Sequence, residues 1–149
     1  MGAAPARPAC PRDAHPAEAW TDVDDDAGAF SGSGTYALTF TLTERQLGAD
    51  RYLVDLGIVR DIARVIVNDV DCGVAWTPPF RVEVTAALRV GGNVIRVEVA
   101  TPWRNRLIAE AGAPGGEVLE AMTAVFEASA RPLPAGLAGP VSLVAESTP

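Results

Sequence analysis

The sequence predicts an all-β protein, an antiparallel β-sandwich of jelly-roll type folded as one domain. Three observations carry that expectation. Apolar and polar residues alternate with a period of two: Phe80, Val82 and Val84 oppose Arg81, Glu83 and Thr85, and Ile95, Val97 and Val99 oppose Val94, Arg96 and Glu98. That is the pattern of strands with one face buried. The strands are short and separated by turn-forming residues, with little helical periodicity between them. Apolar content of 48% with only 6% aromatic, in 149 residues, suits a single core filled by Val, Leu and Ala.

In chain order, residues 1–19 are rich in Ala and Pro, with Pro5, Pro8, Pro11 and Pro16 and no periodicity. They read as a disordered leader, leaving 20–149 as the sandwich. Residues 22–28 form an acidic loop. The first strand is 35–42, with Tyr36, Leu38, Phe40 and Leu42 inward and Thr35, Ala37, Thr39 and Thr41 outward. A strand over 51–56 stops at Gly57. Residues 63–68 are apolar on both faces, as befits a central strand. Asn68-Asp69 suits a tight turn because both residue types tolerate positive φ. The chain returns through 73–76, and Pro78-Pro79 interrupts pairing before the strand 80–85. Thr85 is placed to cap a single turn with Leu88 beneath it, and Gly91-Gly92 supply the left-handed backbone that opens the strand 93–100. In 117–130, Val118, Met122 and Val125 fall at helical spacing, so one short helix is expected there. The last strand is 141–145.

A net charge of −7 argues against a nucleic-acid partner, which requires cationic side chains to displace counterions. One histidine, His15, and two cysteines, Cys10 and Cys72, supply no metal-ligand set, so neither metal nor cofactor is expected. Both thiols are expected to be free. In Asp22–Gly28 the glycine falls one place late for a calcium loop and no Glu closes it, so a solvated turn is expected. No run is long enough to span a membrane. The first twenty residues have no apolar h-region of a secretory signal, and the compartment stays open.

Trp76 and Trp103 stand at strand-to-loop junctions, where an indole face can pack on the C–H face of a sugar ring. The same rings can instead plug the ends of the sandwich. Trp103-Arg104-Asn105-Arg106 joins an aromatic plane to two forked donors and an amide, groups suited to hydroxyl-rich ligands. The alternative is that Arg106 pairs with a carboxylate and Asn105 satisfies loop backbone. Trp76, Trp103, Arg104, Asn105 and Arg106 are therefore the carbohydrate-binding candidates.

The ordered series Val54-Asp55-Leu56-Gly57, Asp61-Ile62-Ala63, Val67-Asn68-Asp69-Val70-Asp71, Trp76-Thr77-Pro78-Pro79-Phe80-Arg81-Val82, Thr85-Ala86-Ala87-Leu88, Gly92-Asn93 and Trp103-Arg104-Asn105-Arg106-Leu107-Ile108 is fairly specific. Phe30–Tyr36 and Gly136–Val141 extend it. It resembles the C-terminal β-sandwich of the glycoside hydrolase family 106 α-L-rhamnosidases and related family 2-type sugar-binding domains, a galactose-binding-like fold. The resemblance implies an accessory module beside a catalytic (β/α)₈ barrel, which takes about 250 residues. This chain is too short to contain one, shows no phosphate loop or dinucleotide fingerprint, and is expected to be non-catalytic. It either buttresses the barrel or contacts carbohydrate. The alternative is a free-standing carbohydrate-binding module, or a truncated remnant that pairs with a partner chain. In the resembled family an additional strand opens the domain, and residues 1–19 offer none. An exposed sheet edge, open to a strand from another chain, is therefore expected. Relatives of this type are usually exported.

Overall fold

The computed structural model describes residues 19–20, 29–111 and 130–147. Among the described residues there are nine strands, β1 (Gly32–Leu42), β2 (Arg51–Asp55), β3 (Ile58–Arg60), β4 (Ile62–Val67), β5 (Val70–Ala75), β6 (Arg81–Glu83), β7 (Gly91–Thr101), β8 (Gly136–Gly139) and β9 (Ser142–Glu146), and the helix α1 (Arg104–Ala111). Every pairing is antiparallel. A four-stranded sheet runs β1-β7-β4-β5, a three-stranded sheet β6-β2-β9, and β3 pairs with β8. The expected all-β sandwich is the observed fold.

The alternation read from the sequence sets the layers. In β7, Ile95, Val97 and Val99 are buried, and in β4, Ala63, Val65 and Val67 face the same core. Tyr52 and Val54 of β2 meet them from the opposite sheet. Tyr36, Leu38 and Phe40 of β1 pack at the margin of this core, while Thr35, Ala37, Thr39 and Thr41 are exposed. Asn68 and Asp69 adopt φ of 49° and 66°, so the β4–β5 hairpin turns as its residues dictate. Gly91, at φ 89°, opens β7.

Other features depart from the expectations. The segment after Trp103 was expected as a loop but forms α1, because Leu107 and Ile108 bury against the body of the domain. Thr85 does not cap its own turn. Its hydroxyl instead accepts the Tyr52 N–H at 2.9 Å, tying the 3₁₀ turn Thr85–Ala87 to β2. Strands β3 and β8 are too short to show periodicity. The helix expected over 117–130, Cys10, the acidic loop 22–28 and nearly all of the leader lie outside the described residues. Cys72 is a half-buried free thiol, and burial pushes its pKa up. No helix among the described residues is long and apolar enough to cross a membrane.

Candidate functional site

The loops at one end of the four-stranded sheet hold most of the candidate residues. Ala75 of β5 lies in register with Ala63 of β4, and Ala63 with Val99 of β7. Trp76 follows Ala75 directly, and Trp103 stands two residues beyond the end of β7. Both tryptophans therefore leave the same end of the sheet. Their strands are separated by β4, about 10 Å across the sheet. Trp76 is 71% exposed and Trp103 55%, so neither plugs the core.

Trp76 lines a cleft of about 610 Å³ with Asp55, Arg60, Asp61, Ile62, Pro79 and others from the same loops. Two pairings form it. β2 pairs with β6, which brings Asp55 opposite Arg81, and β4 pairs with β5 up to Ala63 and Ala75, so that Ile62 and Trp76 leave that pairing side by side. Leu56 N–H donates to the Phe80 carbonyl at 2.9 Å and ties the two walls together. One wall is apolar, with Ile58 and Ile62 exposed beside Pro78, Pro79 and Phe80.

The carboxylates of the cleft differ in their commitments. Asp55 accepts from Arg81 Nε at 2.8 Å and from the Gly57 N–H at 2.9 Å, so it braces the wall. Arg60 and Asp61 are exposed, and among the described residues neither side chain enters an ion pair or hydrogen bond. Sequence reasoning did not single out this pair. Its signal was thin: two adjacent opposite charges between two apolar strand segments, a pattern usual for any solvated turn.

The residues around Trp103 behave differently. Asn105 is buried, its Nδ2 donating to the Leu133 carbonyl at 2.7 Å and its Oδ1 accepting the Leu133 N–H at 2.9 Å. Both ends of the amide are engaged by backbone, as the second sequence reading expected. Arg106 pairs with Glu110 one helical turn on. Arg104 is half-buried at the start of α1. The group is thus split: Trp103 is open to solvent, while Asn105 and Arg106 have protein partners.

Trp20 is a third ring with a structural task. It stacks on Tyr36 with centroids 6.1 Å apart and meets Phe30 edge-on at 5.2 Å. It also covers Gly34, where a Cβ would lie 2.3 Å from the indole. Beneath it the Tyr36 hydroxyl accepts the Leu137 N–H at 3.0 Å, and burial raises the Tyr36 pKa. Among the described residues no group of His, Cys, Asp and Glu is placed to hold a metal.

Comparison with known proteins gives a consistent result. No protein-family profile matches the chain. A candidate β-glucuronidase of Formosa agariphila is 36% identical over 99 residues, which are 65% of this chain and 8% of that protein. The structure of a rhamnosidase from Novosphingobium sp. PP1Y superposes with a TM-score of 0.73 and 34% identity, covering 88% of this chain and 12% of that one. A β-glucuronidase of Bifidobacterium dentium, solved with coumarin-3-O-glucuronide, superposes with a TM-score of 0.51 and 26% identity over 57% of this chain and 14% of its own. The similar proteins are glycoside hydrolases, and the chain spans only about a tenth of their length.

Proposed function

We propose that this chain is a non-catalytic accessory β-sandwich of an α-L-rhamnosidase-type glycoside hydrolase, of the kind carried C-terminally by family 106 enzymes. In that role it braces a catalytic domain and turns its Trp76 end toward carbohydrate. The observation that supports it best is the superposition on the rhamnosidase, high in TM-score and identity yet confined to 12% of that enzyme. Glycoside hydrolysis commonly needs two carboxylates held across the scissile bond. In the Trp76 cleft one of the two aspartates, Asp55, already neutralises Arg81. Incubation of the purified chain with nitrophenyl α-L-rhamnoside should release no nitrophenol, and turnover that follows the chain through purification would overturn the reading. Calorimetric titration with rhamnose-containing oligosaccharides divides the two accessory roles. Saturable heat lost in Trp76→Ala or Trp103→Ala supports carbohydrate contact, and silence supports bracing alone.

One observation favours a second reading, a module completed by a strand from another chain. Among the described residues β1 pairs only with β7, in unbroken register over eleven residue pairs. Its sequence, GSGTYALTFTL, has no charge and no proline, the usual guards of a free edge. Size-exclusion mass decides: a dimer that Thr39→Lys converts to monomer supports strand addition, and a monomer at all concentrations counts against it.

A further inference from the structure

We propose that the cleft between residues 55–62 and 76–80 is a binding site for an uncharged pyranoside, with Trp76 as the stacking platform and Arg60 and Asp61 as its polar fork. The proposal rests on the carbohydrate-contacting half of the reading above and names the residues and the ligand class.

Indole is the largest apolar side chain, and at 71% exposure most of the Trp76 ring faces solvent at the mouth of a cleft. A pyranose offers a face of axial C–H groups that matches such a ring, with hydroxyls around its rim. Those hydroxyls need both donors and acceptors. Arg60 offers donors only and Asp61 acceptors only, and among the described residues neither is committed elsewhere. Charge-assisted hydrogen bonds of this kind are the stronger ones. Asp55, the other acid of the cleft, is held by Arg81 and Gly57 and is not available to a ligand.

Charge selects the class. Arg60 cancels Asp61, and Arg81 cancels Asp55, so the cleft carries no net charge to attract an anion. The whole chain is at −7, which opposes a uronate at long range. Ile58 and Ile62, which border the polar pair on the same segment, and Pro78, Pro79 and Phe80 give the ligand an apolar flank rather than further hydrogen bonds.

The test is a ¹H–¹⁵N titration of the full labelled chain with methyl α-L-rhamnopyranoside, repeated with methyl β-D-glucuronide. Shifts should gather at the Trp76 indole N–H and at the Arg60 and Asp61 amides, with the glucuronide weaker. Trp76→Ala should abolish the shifts while Trp76→Phe, which keeps a ring, retains them. Arg60→Ala should weaken binding about tenfold, as expected for loss of a charged donor. Shifts that centre on Trp103 and survive Trp76→Ala would overturn the assignment of the cleft while leaving carbohydrate contact standing. Absence of shifts with either sugar would remove the cleft assignment together with the carbohydrate-contacting role and leave only the bracing role. Preference for the glucuronide would overturn the uncharged class.

Discussion

Asn68 and Asn93 meet amide to amide, with Asn68 Nδ2 donating to Asn93 Oδ1 at 2.8 Å. The contact joins the β4–β5 turn to the start of β7. Asn68 also donates to the Ala87 carbonyl and accepts the Val94 N–H. Asn93, only 1% exposed, donates to the Arg89 and Gly91 carbonyls and accepts the Arg89 N–H. A buried polar group of this kind is stable only because all its bonds are made.

Replacing Asn93 with Leu, similar in volume, leaves Asn68 Nδ2 and the Arg89 and Gly91 backbone groups without that partner at a part-buried site. The expected loss is about 2–4 kcal/mol, since each unsatisfied buried group costs about 1–3 kcal/mol. Urea unfolding measures it, and a loss under about 1 kcal/mol would show that water reaches the stranded groups.

Gly57→Ala should be comparably damaging for a different reason. Gly57 sits at φ 64°, and a Cβ there would lie 2.5 Å from both the carbon and the oxygen of the Gly139 carbonyl. Backbone cannot step aside as a flexible side chain can, so β3 and β8 must separate. A cost of about 2–4 kcal/mol, read from the denaturation midpoint, is expected from strain of this type.

Asp71 accepts from Arg64 at 2.8 Å and from the Gly73 N–H at 3.1 Å. The Arg64 bond first, then the backbone bond, holds its carboxyl below the usual carboxylate range. A depressed folded value means that the contribution to stability is present above the unfolded pKa of about 4 and fades as pH falls through the folded value. Both side chains are exposed, so the effect on stability is small. NMR titration of the Asp71 carboxyl should show the low value, and Arg64→Gln should raise it toward the ordinary one.

Asn105→Asp is the sharpest test of the α1 anchor. The carboxylate keeps an acceptor for the Leu133 N–H but faces the Leu133 carbonyl with no donor. Destabilisation of about 1–3 kcal/mol at neutral pH is expected, relieved in acid as the new carboxyl gains a proton. Thermal melts at pH 7 and pH 4 measure it, and equal losses at both would refute the donor argument.

Local patterns carried well from sequence to structure. The alternation in β1 and β7 identified the buried face of each, because side chains of an extended chain must point in opposite directions. Asn68-Asp69 turned where expected, because positive φ is a property of those residues themselves. Strand β8, GLAG, carries no pattern, and Gly136–Gly139 becomes a strand only because β3 lies beside it. The helix α1 escaped notice because it is one amphipathic stretch of eight residues after a proline, held by burial of Leu107 and Ile108.

By itself the sequence determined the sandwich: period-two hydrophobicity and turn chemistry are near-neighbour properties, legible without knowing what packs where. Only the tertiary structure decided which polar groups are spent and which are free. Asn105 and Arg106 looked like ligand groups until Leu133 and Glu110 were found beside them, while Arg60 and Asp61 carried no signal of their own until the fold set Trp76 at their cleft. A side chain's availability depends on residues far away in the chain, and folding alone brings those residues to it.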